Sequence, residues 1–141
     1  MTTFQRALGS GALAFLGLFL SPSQLLANSC DTSDGALGNA AFVIVTKPIA
    51  GARLSRGFQV KGCSSTFENN VVWRLLARNG DILAKGFTRG GGVEGPAPFA
   101  FSVEYSIADR QIGHLEVFEE DVSQGEGFPP GKTVLPVVLQ P

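Results

Sequence analysis

Side chains that carry catalysis or bind metals are scarce in this sequence of 141 residues. It contains one histidine, two cysteines and one methionine, and charged residues make up 16% of the chain. These few side chains match no zinc-ligand spacing. A nucleophilic site based on His114 would need a hydroxyl or thiol and an orienting acid brought beside it in space. His114 falls in the outward row of its predicted strand, so we expect an exposed histidine, no cofactor and no enzymatic activity.

Basic residues are not in excess either. Residues 1–27 contain a single charged residue, Arg6, and the remaining residues carry 10 Lys+Arg against 12 Asp+Glu. This slightly acidic balance argues against nucleic acid or anionic lipid as a partner, because both require a basic patch. After residue 27 the sequence also lacks an apolar run long enough to span a membrane.

The first 27 residues have the pattern of a signal peptide. Arg6 precedes an uncharged apolar run at residues 7–20, and Ala27 provides a small residue at a plausible cleavage site. The alternatives are a buried core helix and an uncleaved anchor. Residues 28–41 are poor in large apolar side chains and are predicted to form a flexible tether. We therefore expect an exported protein that is periplasmic, at the cell surface or secreted.

Cys30 and Cys63 are the only cysteines. Two cysteines in an exported chain favour a disulfide bond, and the outward parity of Cys63 on its predicted strand would let the tether cross it there. Alternatively, Cys30 is a lipidated N-terminus, although Ala27 stands where lipoproteins usually have leucine. If the signal peptide is cleaved, only lipidation would attach the protein to a membrane. Two unpaired thiols are the third alternative.

Residues 70–88 contain the clearest local signal. Asn79-Gly80 separates two apolar runs, which is typical of a β-hairpin whose two turn residues both have positive φ. Trp73 belongs to an alternating row without charge, whereas the other row includes Arg74 and Arg78. We therefore expect the Trp73 row to face the core.

The rest of the sequence predicts further strands. Phe67 is expected to close one end of the core, and Pro136 indicates an edge position or a bulge. No helical period follows the signal, so the prediction for residues 42–141 is an all-β fold, a seven-stranded antiparallel immunoglobulin-like β-sandwich. The seven strands are expected at residues 42–46, 57–64, 70–78, 82–88, 98–105, 112–121 and 132–139.

One set of residues has a characteristic order and spacing along residues 42–139: Val45, Pro48, Gly51, Val60, Gly62, Phe67, Glu68, Trp73, Leu75, Asn79, Gly80, Leu115, Val117, Val134, Pro136, Val137 and Leu139. Their order and spacing resemble the Gmad2 family, the immunoglobulin-like domain named from bacterial spore-germination proteins. The resemblance implies an exported, envelope-associated binding or adhesive domain without catalytic residues. It does not predict germination as the process, because the domain also occurs in bacteria that do not sporulate.

Two loops provide candidate contacts. Residues 89–96 form a glycine-rich loop that we expect to be flexible, with Arg89, Val93 and Glu94 as contact residues, and Phe128 lies in a later loop. Packing over the end of the core is an equally good interpretation of Val93 and Phe128. The leading hypothesis is a non-enzymatic module that binds a protein or cell-wall component through loops or a strand edge.

The alternative hypothesis uses the acidic run between residues 116 and 126. Clustered carboxylates could bind calcium in an enzyme or a structural protein, although the spacing of a dedicated calcium loop is missing. The run consists of Glu116, Glu119, Glu120, Asp121 and Glu126.

Overall fold

The computed structural model describes residue 30, residues 40–122 and residues 130–141. These residues form two β-sheets, one with the strand order β1-β3-β6 and the other with the order β2-β8-β7-β4-β5. The strands are β1 (Phe42–Lys47), β2 (Arg53–Leu54), β3 (Phe58–Ser65), β4 (Asn70–Leu76), β5 (Ile82–Arg89), β6 (Ala97–Val103), β7 (Gln111–Phe118) and β8 (Lys132–Leu139).

The two sheets pack face to face over a single apolar core. Alternate residues of every long strand point inward, and the predicted Trp73 row is buried as expected. The indole of Trp73 stacks on Phe101 of the opposite sheet, with ring centroids 4.8 Å apart and an angle of 7° between the rings. The buried cluster draws on both sheets and includes Val43, Val60, Phe99, Val103, Val71, Leu75, Leu115, Val117, Val137 and Leu139.

The prediction of seven antiparallel strands was wrong in one respect. An eighth strand, β2, lies in the segment that was expected to be a loop, and it pairs with β8 in parallel. Its pairing depends on backbone hydrogen bonds such as Val138 N–H to the Ala52 carbonyl (2.9 Å) and Gln140 N–H to the Leu54 carbonyl (2.9 Å). Because two residues are too few to show an alternating pattern, side-chain periodicity could not reveal this strand.

The β4–β5 hairpin forms as predicted but with a different turn. Ala77 and Asp81 close a three-residue loop through a 2.7 Å backbone bond, and Gly80 N–H donates to the Ala77 carbonyl at 3.0 Å. Gly80 has a φ of 91°, whereas Asn79 is not among the described residues with positive φ. A three-residue loop requires the left-handed conformation only at its last position, which glycine occupies here.

Hydroxyl groups link the two sheets along both lateral sides. Thr88 on β5 donates to the Ala100 carbonyl on β6 at 3.3 Å, and Thr133 on β8 donates to the Val43 carbonyl on β1. The strand β8 pairs with β2 only at Val138 and Leu139. At Pro136, where an edge or a bulge was expected, the carbonyl accepts a 2.7 Å hydrogen bond from Gly51 N–H, so this position also has a backbone partner.

The disulfide between Cys30 and Cys63 is present, which confirms that prediction. Cys63 lies on the solvent-facing side of β3, so the bond holds Cys30 against the outer face of the three-stranded sheet. The bond uses the sulfur atom that lipidation of Cys30 would require.

Several predictions fall outside the described residues. These are the signal peptide at residues 1–27, most of the tether at residues 28–41, and the contact residue Phe128. In the part of the chain that the structure describes, we find no apolar helix of membrane-spanning length.

Candidate functional site

The glycine-rich loop between β5 and β6 is pinned down, contrary to the expectation of a flexible loop. Gly91 N–H donates to the buried Ser64 hydroxyl (3.2 Å), and Thr66 N–H donates to the Gly91 carbonyl (3.0 Å). Gly92 and Gly95 exchange two backbone hydrogen bonds of 3.1 and 2.9 Å. These bonds provide partners for polar groups of the β3–β4 connection. The loop and the connection therefore form one hydrogen-bonded unit at this end of the sandwich.

Close packing explains why this loop contains three consecutive glycines. A Cβ atom on Gly91 would lie 2.2 Å from the Ala97 nitrogen, and one on Gly92 would lie 1.6 Å from Oδ1 of Asn69. Side chains at these positions would push the loop away from its hydrogen-bond partners. Glycine therefore allows the loop backbone to approach its neighbours closely. Only the tip of the loop, at Val93 and Glu94, is exposed.

Two large apolar side chains project from this end of the domain. Phe67 in the β3–β4 connection is 69% exposed, and Val93 at the tip of the glycine-rich loop is 80% exposed. Both line one groove of about 310 Å³ together with Glu119. The expectation that Phe67 closes the core was wrong, because Thr66 is the buried residue of that connection and Phe67 follows it outward. We call Phe67, Val93, Glu94, Glu119 and Val122 the loop-end surface.

The three predicted contact residues that the structure describes do not all lie on one surface. Val93 and Glu94 lie together on the loop-end surface, whereas Arg89 ends β5 opposite Asn70 on the side of the five-stranded sheet. Phe67 and Val122, both exposed, were not predicted as contacts. No pattern in this short segment distinguishes an exposed phenylalanine from a buried one, so Phe67 was predicted to belong to the core.

The acidic run does not gather into a metal site within residues 40–122 and 130–141. No group of three His, Cys, Asp or Glu side chains that could hold a metal ion occurs there. Glu119 accepts a hydrogen bond from the backbone N–H of Phe67, and Glu116 lies in an ion-pair cluster on the outer side of β7. Glu126 lies outside the described residues.

The solvent-facing side of the five-stranded sheet is a second exposed surface, which we call the outer face. It is unusually apolar for the exposed side of a sheet, where polar residues normally alternate with the core row. Its apolar members include Val72, Leu76, Ile82, Phe87, Ile112, Phe118 and Val134. His114 lies on the same face and is exposed, as expected from its parity.

Three charged residues form a cluster in the middle of the outer face. Glu116 pairs with Arg74 on one side and with Lys132 on the other, the latter with 3.3 Å between Nζ and Oε1. Burial raises the pKa of Glu116, but the hydrogen bonds and positive charges of Arg74 and Lys132 outweigh it and hold the pKa below its usual value. Both cations also lie over the Phe118 ring, 5.4 and 5.8 Å from its centroid.

Comparisons with known proteins place the domain in a family. No curated protein matches the sequence. Among solved structures, the crystal structure of CopC from Methylosinus trichosporium OB3b is similar at 12% identity, with 72% of this chain and 94% of that chain covered and a TM-score of 0.44. The family described as the immunoglobulin-like domain of bacterial spore germination, Gmad2, matches residues 42–126. The chain therefore belongs to the Gmad2 family of immunoglobulin-like domains.

Proposed function

We propose that this protein is an exported, non-enzymatic binding domain that recognises a protein or a cell-wall component of the bacterial envelope. The observation that carries the proposal is the pair Phe67 and Val93, two exposed apolar side chains that flank one groove. Exposed side chains of this size on a rigid loop end are typical of contact residues.

The rigidity of the loop end supports this proposal. The hydrogen bonds to Ser64 and Thr66 fix the glycine-rich loop before any partner arrives, so less conformational entropy is lost on binding. Glu119 lines the same groove, and Glu94 is the exposed neighbour of Val93 in the chain, so the surface fits a partner that presents an apolar group beside a positive charge.

The disulfide supports the proposed location. Disulfides persist in oxidising compartments, which for bacteria means outside the cytoplasm. Export also agrees with the signal-like pattern of residues 1–27.

Binding to envelope material tests the proposal. The purified protein would be mixed with isolated cell-wall sacculi and, separately, with solubilised envelope proteins of the producing bacterium. We expect retention in one of the two fractions, and we expect the double variant Phe67→Ser/Val93→Ser to lose it. Ile49→Ser is the matched control, because Ile49 is 73% exposed and follows β1 at the opposite end of the sandwich.

Either of two results would contradict the proposal. The first is retention by neither fraction, and the second is equal retention of the double variant and the wild type. Calcium should not change the melting temperature if binding is independent of metal, and a calcium-dependent rise would favour the metal-binding alternative instead.

A further inference from the structure

We infer that the outer face is a second docking surface, and that its occupant is a partner segment carrying a carboxylate beside a large apolar side chain. The surface centres on a shallow depression of about 530 Å³. Phe87 and Phe118 form its apolar walls, and Lys85 and Arg74 supply positive charge at its side. It borders the loop-end surface at Asn70 and Glu120 but is centred on the five-stranded sheet, and the inference does not rest on the proposed function.

The apolar part of the argument is the exposure of Phe87. This side chain is 75% exposed on β5, directly across from Val72 on β4. Phe118 follows on β7, across from Val72 on its other side. Three neighbouring strands therefore present a continuous apolar row toward solvent, and covering such a row is favourable at roughly 25 cal/mol per Å².

The charged part of the argument identifies the partner. Arg74 and Lys85 stand directly opposite each other on β4 and β5. Like charges in this position destabilise a sheet unless an anion lies between or beside them. Glu116 is shared by Arg74 and Lys132, and Lys85 forms no ion pair with any described residue. Glu120 lines the same depression, so the three cations Arg74, Lys85 and Lys132 face two carboxylates. The site is therefore one negative charge short, and a carboxylate from a partner would complete it.

The same charges disfavour the other occupants of an apolar sheet face. Two copies stacked through this face would add their surplus positive charges together and leave both without a neutralising carboxylate. A membrane is disfavoured because this face carries only one surplus positive charge, whereas anionic lipid surfaces are recognised by clusters of several Lys and Arg side chains. A depression with aromatic walls also fits an inserted side chain better than a flat lipid surface.

Selection from a random peptide library tests the inference. The purified protein is immobilised, and the affinities of enriched peptides are measured by fluorescence anisotropy. We expect enriched peptides to contain Asp or Glu next to Phe, Leu, Ile or Trp. Lys85→Glu and Phe87→Ser should each weaken their binding roughly tenfold or more, because one removes the charge partner and the other an apolar wall.

Phe67→Ser is the matched control for Phe87→Ser, since both remove an exposed phenylalanine and only one lies on the outer face. It should leave peptide affinity unchanged. Circular dichroism of each variant confirms that the fold is intact.

Four results would overturn the inference. They are peptides without an acidic bias, affinities unchanged by Lys85→Glu and Phe87→Ser, stronger binding to phosphatidylglycerol vesicles than to the peptides, and self-association in sedimentation velocity that Phe87→Ser abolishes. The last two would assign the face to a membrane or to a second copy of the chain.

Discussion

Gly86 on β5 lies directly against the indole of Trp73 on β4, and a Cβ atom on Gly86 would stand 2.7 Å from Cζ2 of that ring. The ring cannot move away easily, because its other face stacks on Phe101 with centroids 4.8 Å apart. Glycine at this position is therefore a packing requirement of the only tryptophan in the chain. The contact joins both sheets through one side chain.

Substitution of Gly86 tests this packing. We expect Gly86→Ala to lower the free energy of unfolding by about 1–3 kcal/mol, because the added methyl group overpacks the core. Urea denaturation followed by circular dichroism measures the change. In a Trp73→Phe background the smaller ring leaves room, so the same substitution should cost less. An equal cost in both backgrounds would show that the two residues are not coupled.

Tyr105 should stabilise the end of the domain opposite the glycine-rich loop. Its hydroxyl lies 2.6 Å from the Leu54 carbonyl oxygen and 2.8 Å from that of Gln140, and it accepts from Gln140 N–H at 3.1 Å. Burial raises the pKa of this hydroxyl above its usual value. Tyr105→Phe should lower the free energy of unfolding by about 1 kcal/mol, because the Gln140 carbonyl loses its donor while Gln140 N–H and the Leu54 carbonyl keep their bond to each other.

The measurement for Tyr105→Phe is urea denaturation monitored by Trp73 fluorescence. A matched substitution at an exposed aromatic position, Phe87→Ser, should leave stability nearly unchanged. A Tyr105→Phe variant as stable as the wild type would mean that water replaces the hydroxyl at no cost.

Much of the fold could be predicted from the sequence, because alternation marks long strands on a half-buried sheet. The row containing Trp73 was identified in this way. The outward parity of Cys63 likewise predicted that a disulfide could reach it from the tether. These successes share a cause, since each depends only on period-two geometry along one strand.

Features that depend on contacts between segments far apart in the sequence were predicted less well. The strand β2 exists because β8 offers it backbone partners, and two residues cannot show a period. The glycine-rich loop was expected to be flexible because glycine is permissive, whereas Ser64 and Thr66 hold it in place. The apolar outer face went unrecognised because Arg74 marked its row as solvent-facing, and the apolar neighbours on other strands meet only in the folded sheet.

The Cys30–Cys63 bond should contribute substantially to stability. It closes a loop with a sequence separation of 33, for which the chain-entropy account gives roughly 3–4 kcal/mol. A Cys30→Ser/Cys63→Ser variant should therefore unfold at lower urea concentration than the oxidised protein. Reductant should destabilise the wild type to a similar extent and leave the double variant unaffected. Equal stability with and without reductant in the wild type would contradict this expectation.

Acid should weaken the ion-pair cluster on the outer face. The folded-state pKa of Glu116 is held below its usual value of 4.5, so its stabilising contribution is present above that pH and is lost as the pH falls through the lower folded-state pKa. Glu116→Gln should lower the free energy of unfolding by about 1 kcal/mol at neutral pH. The difference between variant and wild type should shrink as the pH falls below 4.5, as urea denaturation across pH would show. A difference that stays constant across this range would assign the loss to packing.

Site-specific photo-crosslinking in the producing bacterium tests the central claim, that the loop-end surface binds an envelope component, most directly. A photoreactive amino acid is placed at Val93 or, as the control, at Ile49, and both positions are exposed at opposite ends of the domain. The account predicts a discrete crosslinked species at Val93 that is absent at Ile49 and disappears in the Phe67→Ser background. Identical crosslinks at both positions, or none at Val93, would contradict it.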